Sequence, residues 1–251
     1  MPKIISIHSF RGGTGKSNMT ANIASSLALH GKRVGIVDTD IQSPGIHVLF
    51  GMDEENMTRA LNDYLWGECL IEDTAYIVTP PPVKEAGGTI YLIPSSIKPG
   101  EIARVLREGY DVARLIDGIR QLVDRLKLDY LLIDTHPGLN EETLLSITIS
   151  DALVVILRPD NQDYQGTAVT VELARQLEVP KMFLLVNKVP AAFDREQVRE
   201  KVAKTYNAQV AGVIQLTDEV VRLASGGVFC LLYPDHPVAK QIRGIADLIV
   251  A

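Results

Sequence analysis

The chain has 251 residues, 46% of them hydrophobic, with 25 basic against 31 acidic side chains and a formal net charge of −6. That is enough to bury a full core, so one large α/β domain spanning 1–251 is expected. The charge balance does not point to a nucleic-acid binder, though it leaves room for a local basic patch.

Two cysteines, Cys69 and Cys230, stand far apart in no metal-like spacing and are expected as reduced thiols of a reducing compartment. The chain enters strand-like sequence at once, with no signal peptide in view, and no apolar run approaches the roughly 20 residues of a membrane span. A soluble, cytoplasmic protein is the expectation.

The first apolar run, Lys3 to His8, feeds a glycine-rich turn ending in Gly15-Lys16-Ser17, and the Ala- and Leu-rich stretch Met19 to His30 follows with helical character, closed by Gly31. A strand, a tight turn and a helix N-terminus make a phosphate cradle. Backbone N–H groups face the anion, a lysine reaches the terminal phosphates, and the hydroxyl after it sits on magnesium. An ordinary glycine-rich helix cap is the competing reading, and seven residues of the right types in this context argue against it. Lys32 to Asp38 reads as the next buried strand of a βαβ unit, delivering Asp38-Thr39-Asp40 to the edge where an open sheet binds ligands. Alone, such a pair of carboxylates could equally cap a helix; beside a phosphate cradle it implies a metal or a positioned water. The 41–47 loop is a candidate switch, with His47 expected to be exposed.

Met57 to Trp66 has helical spacing, 75–78 resembles a short edge strand, Pro80-Pro81-Pro82 marks a loop or sheet edge, and 89–93 is a further strand. The middle of the chain carries no motif and is the expected place for partner-specific surface. Ile102 to Leu126 is helical, split or bent at Gly109. Leu128 to Asp134 is a buried strand ending on a carboxylate, and Thr135 to Gly138 is a turn in which His136 is read as facing solvent or, alternatively, contacting the site from behind. Continuous apolar strands follow at 152–157 and 181–188, then 210–214, with helices at 166–177, 194–206, 220–224 and 238–250. The mixed charges of 194–206 read as a solvated face rather than a DNA patch. The last helix is too short and too weakly charged to anchor the chain on a membrane.

Arg11-Gly12-Gly13-Thr14-Gly15-Lys16-Ser17 resembles the deviant Walker A motif of the MinD/ParA ATPases, K-G-G-x-G-K-[ST], better than it fits G-x-x-x-x-G-K-[ST], where Phe10 replaces the first glycine. Arg11 stands where that family has its signature lysine. The Asp38/Asp40 strand end, the Asp134 strand end and Asn187 then follow in the family's order. The resemblance covers essentially the whole chain and implies a mostly parallel twisted sheet flanked by helices on both faces. It implies ATP or ADP held by Gly12, Gly13, Thr14, Gly15, Lys16, Ser17 and Asn18. Asn187 would read the base, with Gln215 on the other side, where relatives carry a proline-containing segment. Mg2+ would be bound by Ser17, with Asp38 and Asp134 acting through its waters. Asp40 would orient the attacking water and Arg11 would reach the phosphates of a partner copy in an ATP-dependent homodimer. Slow hydrolysis stimulated by an activating or cargo protein, in spatial organisation or partitioning, is the implied role. A nucleotide-reading interaction module with negligible turnover is the alternative. Iron–sulfur carriage is set aside for want of a Cys-x-x-Cys.

Overall fold

The computed structural model describes residues 2–251. Strand β1 (Lys3–His8) runs into the glycine turn and helix α1 (Lys16–Ala28), and β2 (Arg33–Asp38) returns beside it. Then come α2 (Leu61–Leu65), β3 (Tyr76–Ile77), α3 (Pro81–Glu85), β4 (Thr89–Ile93), α4 (Pro99–Glu108), α5 (Val112–Arg125) and β5 (Tyr130–Asp134). The second half adds α6 (Glu141–Thr148), β6 (Ala152–Leu157), α7 (Asn161–Gln176), β7 (Met182–Val189), α8 (Arg195–Tyr206), β8 (Gln209–Gln215), α9 (Asp218–Leu223), α10 (Phe229–Leu232) and α11 (Pro237–Val250).

One eight-stranded sheet has the order β3-β4-β2-β5-β1-β6-β7-β8, parallel except where β3 meets β4. The strand sequences explain why: β6, Ala-Leu-Val-Val-Ile-Leu, is buried at every position, as a strand covered on both faces must be. Its Val154 and Ile156 join Leu132, α1 and α11 in one apolar cluster, while Leu153, Val155 and Leu157 pack with α7 and α8 on the other face. On that second face α5 and α2 cover Leu131 and Ile133 of β5. The expected fold class is the observed one.

Several local expectations are corrected. Pro80 to Pro82 do not form a loop; Pro80 precedes and Pro81 and Pro82 open α3, because a proline lacks only an N–H that the first helical turn leaves unpaired. Gly109, at φ 66°, does split the long middle helix, as expected, into α4 and α5. The Met57–Trp66 helix shrinks to α2. The helix expected from Gly166 starts at Asn161, where the Asp160 carboxylate caps the N–H groups of Gln162 and Asp163. Helices α6 and α10 were not foreseen. His47 is buried on a short 3-10 turn (Ile46–Phe50) rather than exposed, and burial lowers its pKa.

Candidate nucleotide-binding site

Three adjacent strands build the site. β2 ends on Asp38 and β5 on Asp134, paired in register, and β1 lies on the other side of β5. Because β1 sits between β5 and β6, the chain leaves it where the strand order reverses, and an open parallel sheet leaves its ligand crevice there.

The turn after β1 is held from outside. Asn187, near the end of β7, donates from Nδ2 to the carbonyl of Thr14 at 2.8 Å, and Lys188 donates from Nζ to the carbonyl of Gly13 at 2.7 Å. With those carbonyls engaged, the N–H groups of the turn remain for an anion. Gly15 serves this twice: its φ of 90° is left-handed, and a Cβ there would stand 2.6 Å from Asn187 Nδ2.

Below the turn the charges are crowded. Lys16, 7% exposed, donates to Asp134 Oδ1 at 2.8 Å, and Thr20 donates to the same oxygen at 3.0 Å. Asp134 Oδ2 is buried without a partner. Asp38 accepts from the N–H groups of Asp40 and Gly45 at 3.0 and 3.3 Å. Burial, and then the neighbouring Asp134, push its carboxyl well above the ordinary range. Two buried carboxylates and an orphaned carboxylate oxygen, with Ser17 half-buried on the first turn of α1, form a donor set that a hard divalent cation fits.

His8 closes the floor. It is fully buried, its Nδ1 2.8 Å from Thr135 Oγ1, whose hydroxyl donates to the carbonyl of Ile7, so Nδ1 carries the proton. Burial first, then Lys16 and His136, lower its pKa to about 3. A folded pKa below the unfolded 6.5 means that protonation favours unfolding. Stability is therefore present above pH 6.5 and drains as pH falls toward 3, at no more than about 1.4 kcal/mol per pH unit. Urea unfolding across that range is expected to show a shallower acid loss for His8→Asn, which cannot titrate, than for the wild type.

At the rim, His136 is not turned to solvent alone: its Nδ1 lies 2.7 Å from Asp40 Oδ1. Arg11 donates from Nη1 to Gln162 Oε1 of the same chain. Phe10 packs on Gly166, where a Cβ would come within 2.0 Å of its ring. Gln162 and Gly166, four residues apart, share one face of α7 and seat the entrance of the turn. Beyond it, a cavity of about 410 Å³ is lined by Gly15, Asn18, Asn187 and Gln215, with an apolar wall from Ile214, Val221, Phe229 and Ile242. The expected base-reading residues thus meet at one cavity next to the cradle. A larger groove of about 640 Å³ between residues 49–52, 76–82 and 226–232 holds none of them.

No motif in the sequence marks Thr20, Gln162 or Lys188 as part of the site. Thr20, three residues after Ser17 on the first turns of α1, was the one within reach of a local pattern.

A family model described as ParA, the NUBPL iron-transfer P-loop NTPases, matches residues 1–250. The chain belongs to this ParA family of P-loop NTPases. It is 28% identical over 248 residues to an uncharacterized ATP-binding protein of Methanocaldococcus jannaschii, covering 98% of this chain and 87% of that protein. It is 27% identical to an iron–sulfur cluster carrier protein of Pyrococcus horikoshii, covering 98% and 85%. Among solved structures, the septum site-determining protein MinD of Pyrococcus horikoshii, complexed with Mg-ADP, superposes with a TM-score of 0.80 at 22% identity, over 99% of this chain and 96% of that one. The lack of Cys-x-x-Cys therefore does not set this ParA-family chain apart from the iron-transfer branch by descent.

Cys230 is wholly buried, its thiol within 3.5 Å of the Asn22 carbonyl, and burial pushes it up to about 11. Cys69 is half-buried and also shifted up by burial. Among the described residues no three His, Cys, Asp or Glu side chains are grouped to hold a metal.

Proposed function

We propose that residues 1–251 act as one Mg2+-dependent ATPase switch of the MinD/ParA kind, slow on its own and accelerated by a partner, whose nucleotide state positions or partitions a cargo in the cytoplasm. The observation that carries this reading is the buried Lys16–Asp134 pair beneath a braced glycine turn, with Asp38 and Asp40 beside it. Among the described residues no helix is long and apolar enough to cross a membrane.

In this reading Lys16 and the N–H groups of Gly12 to Ser17 hold the phosphates, Asn187 and Gln215 read the base, and Asn18 lines the base cavity. Asn187 has spent one N–H on Thr14, which leaves one donor and one acceptor for a base edge. Ser17, Asp38 and Asp134 hold magnesium, which spreads the charge that builds on the phosphates. Asp40 orients water, and little basicity is needed because phosphoryl transfer depends mainly on positioning and electrostatics.

Arg11 completes the site in trans. To do so it exchanges Gln162 for the phosphate of a partner copy, a charge-assisted contact stronger than one to a neutral amide. Calorimetry with Mg2+ and either adenine nucleotide tests the reading, and an absence of heat from both ends it. ATP-dependent dimerisation, followed by light scattering, is expected for the wild type and lost in Arg11→Ala. A dimer that persists in that variant removes the trans role. The module with negligible turnover predicts nucleotide binding without phosphate release, with or without a partner.

A further inference from the structure

Asp40 is held at more points than the fold requires. Its N–H donates to Asp38 Oδ1 at 3.0 Å, its carbonyl accepts from Ser43 N–H at 3.2 Å, and its carboxylate accepts from His136 Nδ1 at 2.7 Å. A carboxylate only accepts, so Nδ1 carries the proton and Asp40 Oδ2 is left for another donor.

The histidine is itself anchored. Its carbonyl accepts from Thr143 Oγ1 at 3.3 Å, and the N–H of Thr143 is capped by Asn140 Oδ1 at 2.8 Å, so the backbone that carries the imidazole is tied to the first turn of α6. Next to His136 are Asp40, Glu142 and the neutral His8; Tyr110 lies against Glu142, which burial shifts upward.

A bond between the exits of β2 and β5 could merely clip two strands together. That clip is already made. Thr39 donates to the Asp134 carbonyl from both N–H and Oγ1, at 3.0 and 3.2 Å, directly after the register pair Asp38–Asp134. The His136–Asp40 bond adds nothing that the ladder lacks, except a fixed orientation for the Asp40 carboxylate.

We propose that His136 is a positioning residue for hydrolysis: its Nδ1–H pins one Asp40 oxygen so that the other faces the attacking water. The proposal rests on the ATPase reading above, in which Asp40 orients that water. A free aspartate carboxylate samples several rotamers, and a nucleophile misplaced by about 1 Å can lose two orders of magnitude in rate.

The test is single-turnover hydrolysis of Mg-ATP by wild type, His136→Ala, His136→Asn, Asp40→Ala and the double variant His136→Ala/Asp40→Ala, with calorimetric ATP binding measured on each. His136→Ala is expected to slow hydrolysis by about 10- to 100-fold while ATP affinity stays within about twofold. Asparagine, which keeps an N–H donor near the Nδ1 position, is expected to recover most of the rate. The double variant is expected to be no slower than Asp40→Ala alone, because the histidine acts through the aspartate. A wild-type rate in His136→Ala, no recovery in His136→Asn, or a double variant slower by the product of the two single losses overturns the proposal. If the wild type binds ATP but releases no phosphate, the ATPase reading fails and this role falls with it. If the wild type turns over and His136→Ala matches it, only the role of His136 is lost.

Discussion

Lys16→Ala is expected to abolish nucleotide binding, with a loss in affinity beyond about 100-fold in calorimetry with Mg-ADP or Mg-ATP. The lysine is the buried cation at the site, set against Asp134 with Asp38 next to it. Without it, no buried cation stands between an incoming polyphosphate and the carboxylates of Asp134 and Asp38, and a charge pair about 4 Å apart is worth about 4 kcal/mol at an effective dielectric of 20. That exceeds the 2.7 kcal/mol of a hundredfold change in affinity. The fold is affected too. Removing one partner of a buried ion pair costs about 3–5 kcal/mol when the other stays charged. Urea unfolding of the variant separates the two effects: a folded, less stable protein that gains nothing from nucleotide is the expected result. Retained binding within tenfold would dismiss the cradle as the phosphate site.

Asp40→Ala is expected to do the reverse, leaving ATP binding within about threefold and cutting single-turnover hydrolysis by about 100-fold or more. No hydrogen bond joins Asp40 to Lys16 or the glycine turn; its partners are the Asp38 carboxylate and the Ser43 N–H, through its backbone, and His136. In the proposed role its loss removes a water-orienting group and a negative charge near the phosphates, so affinity is expected not to suffer. The ATP-loaded dimer, with no route to ADP, accumulates and is seen as a persistent increase in mass by light scattering. Equal hydrolysis in wild type and variant would take Asp40 out of the reaction.

Which parts of this could be read from the chain follows from how far apart the partners lie in sequence. The glycine turn, the two carboxylates at and just beyond the end of β2 and the strand ending on Asp134 are local patterns whose chemistry is written within a few residues, and the sheet follows from apolar runs with helical stretches between them. The pairs His136–Asp40, Lys188–Gly13 and Arg11–Gln162 join residues 96, 175 and 151 positions apart. No spacing rule announces such pairs; they exist only once the strand order is known. Helix α6 was hidden because Glu141 to Thr148 is short and half-buried, with a cap, Asn140, that could equally open a turn. His47 was misjudged because a histidine in a polar-looking loop carries no mark of the 3-10 turn that folds it inward. The proline run was misjudged for a different reason. Prolines obstruct a sheet ladder and suit a helix start equally well, and the deciding residues are those that follow them.

The two outer braces on the glycine turn, Asn187 and Lys188, have one further effect. They fix the conformation of that loop with the protein's own side chains, so an arriving polyphosphate finds a ready mould and forfeits little free energy to ordering it. Because the same asparagine also borders the neighbouring cavity, a purine held there in the proposed way would pull on the peptide that shapes the mould. On the proposed function, the two ends of the ligand would sense each other through a single amide.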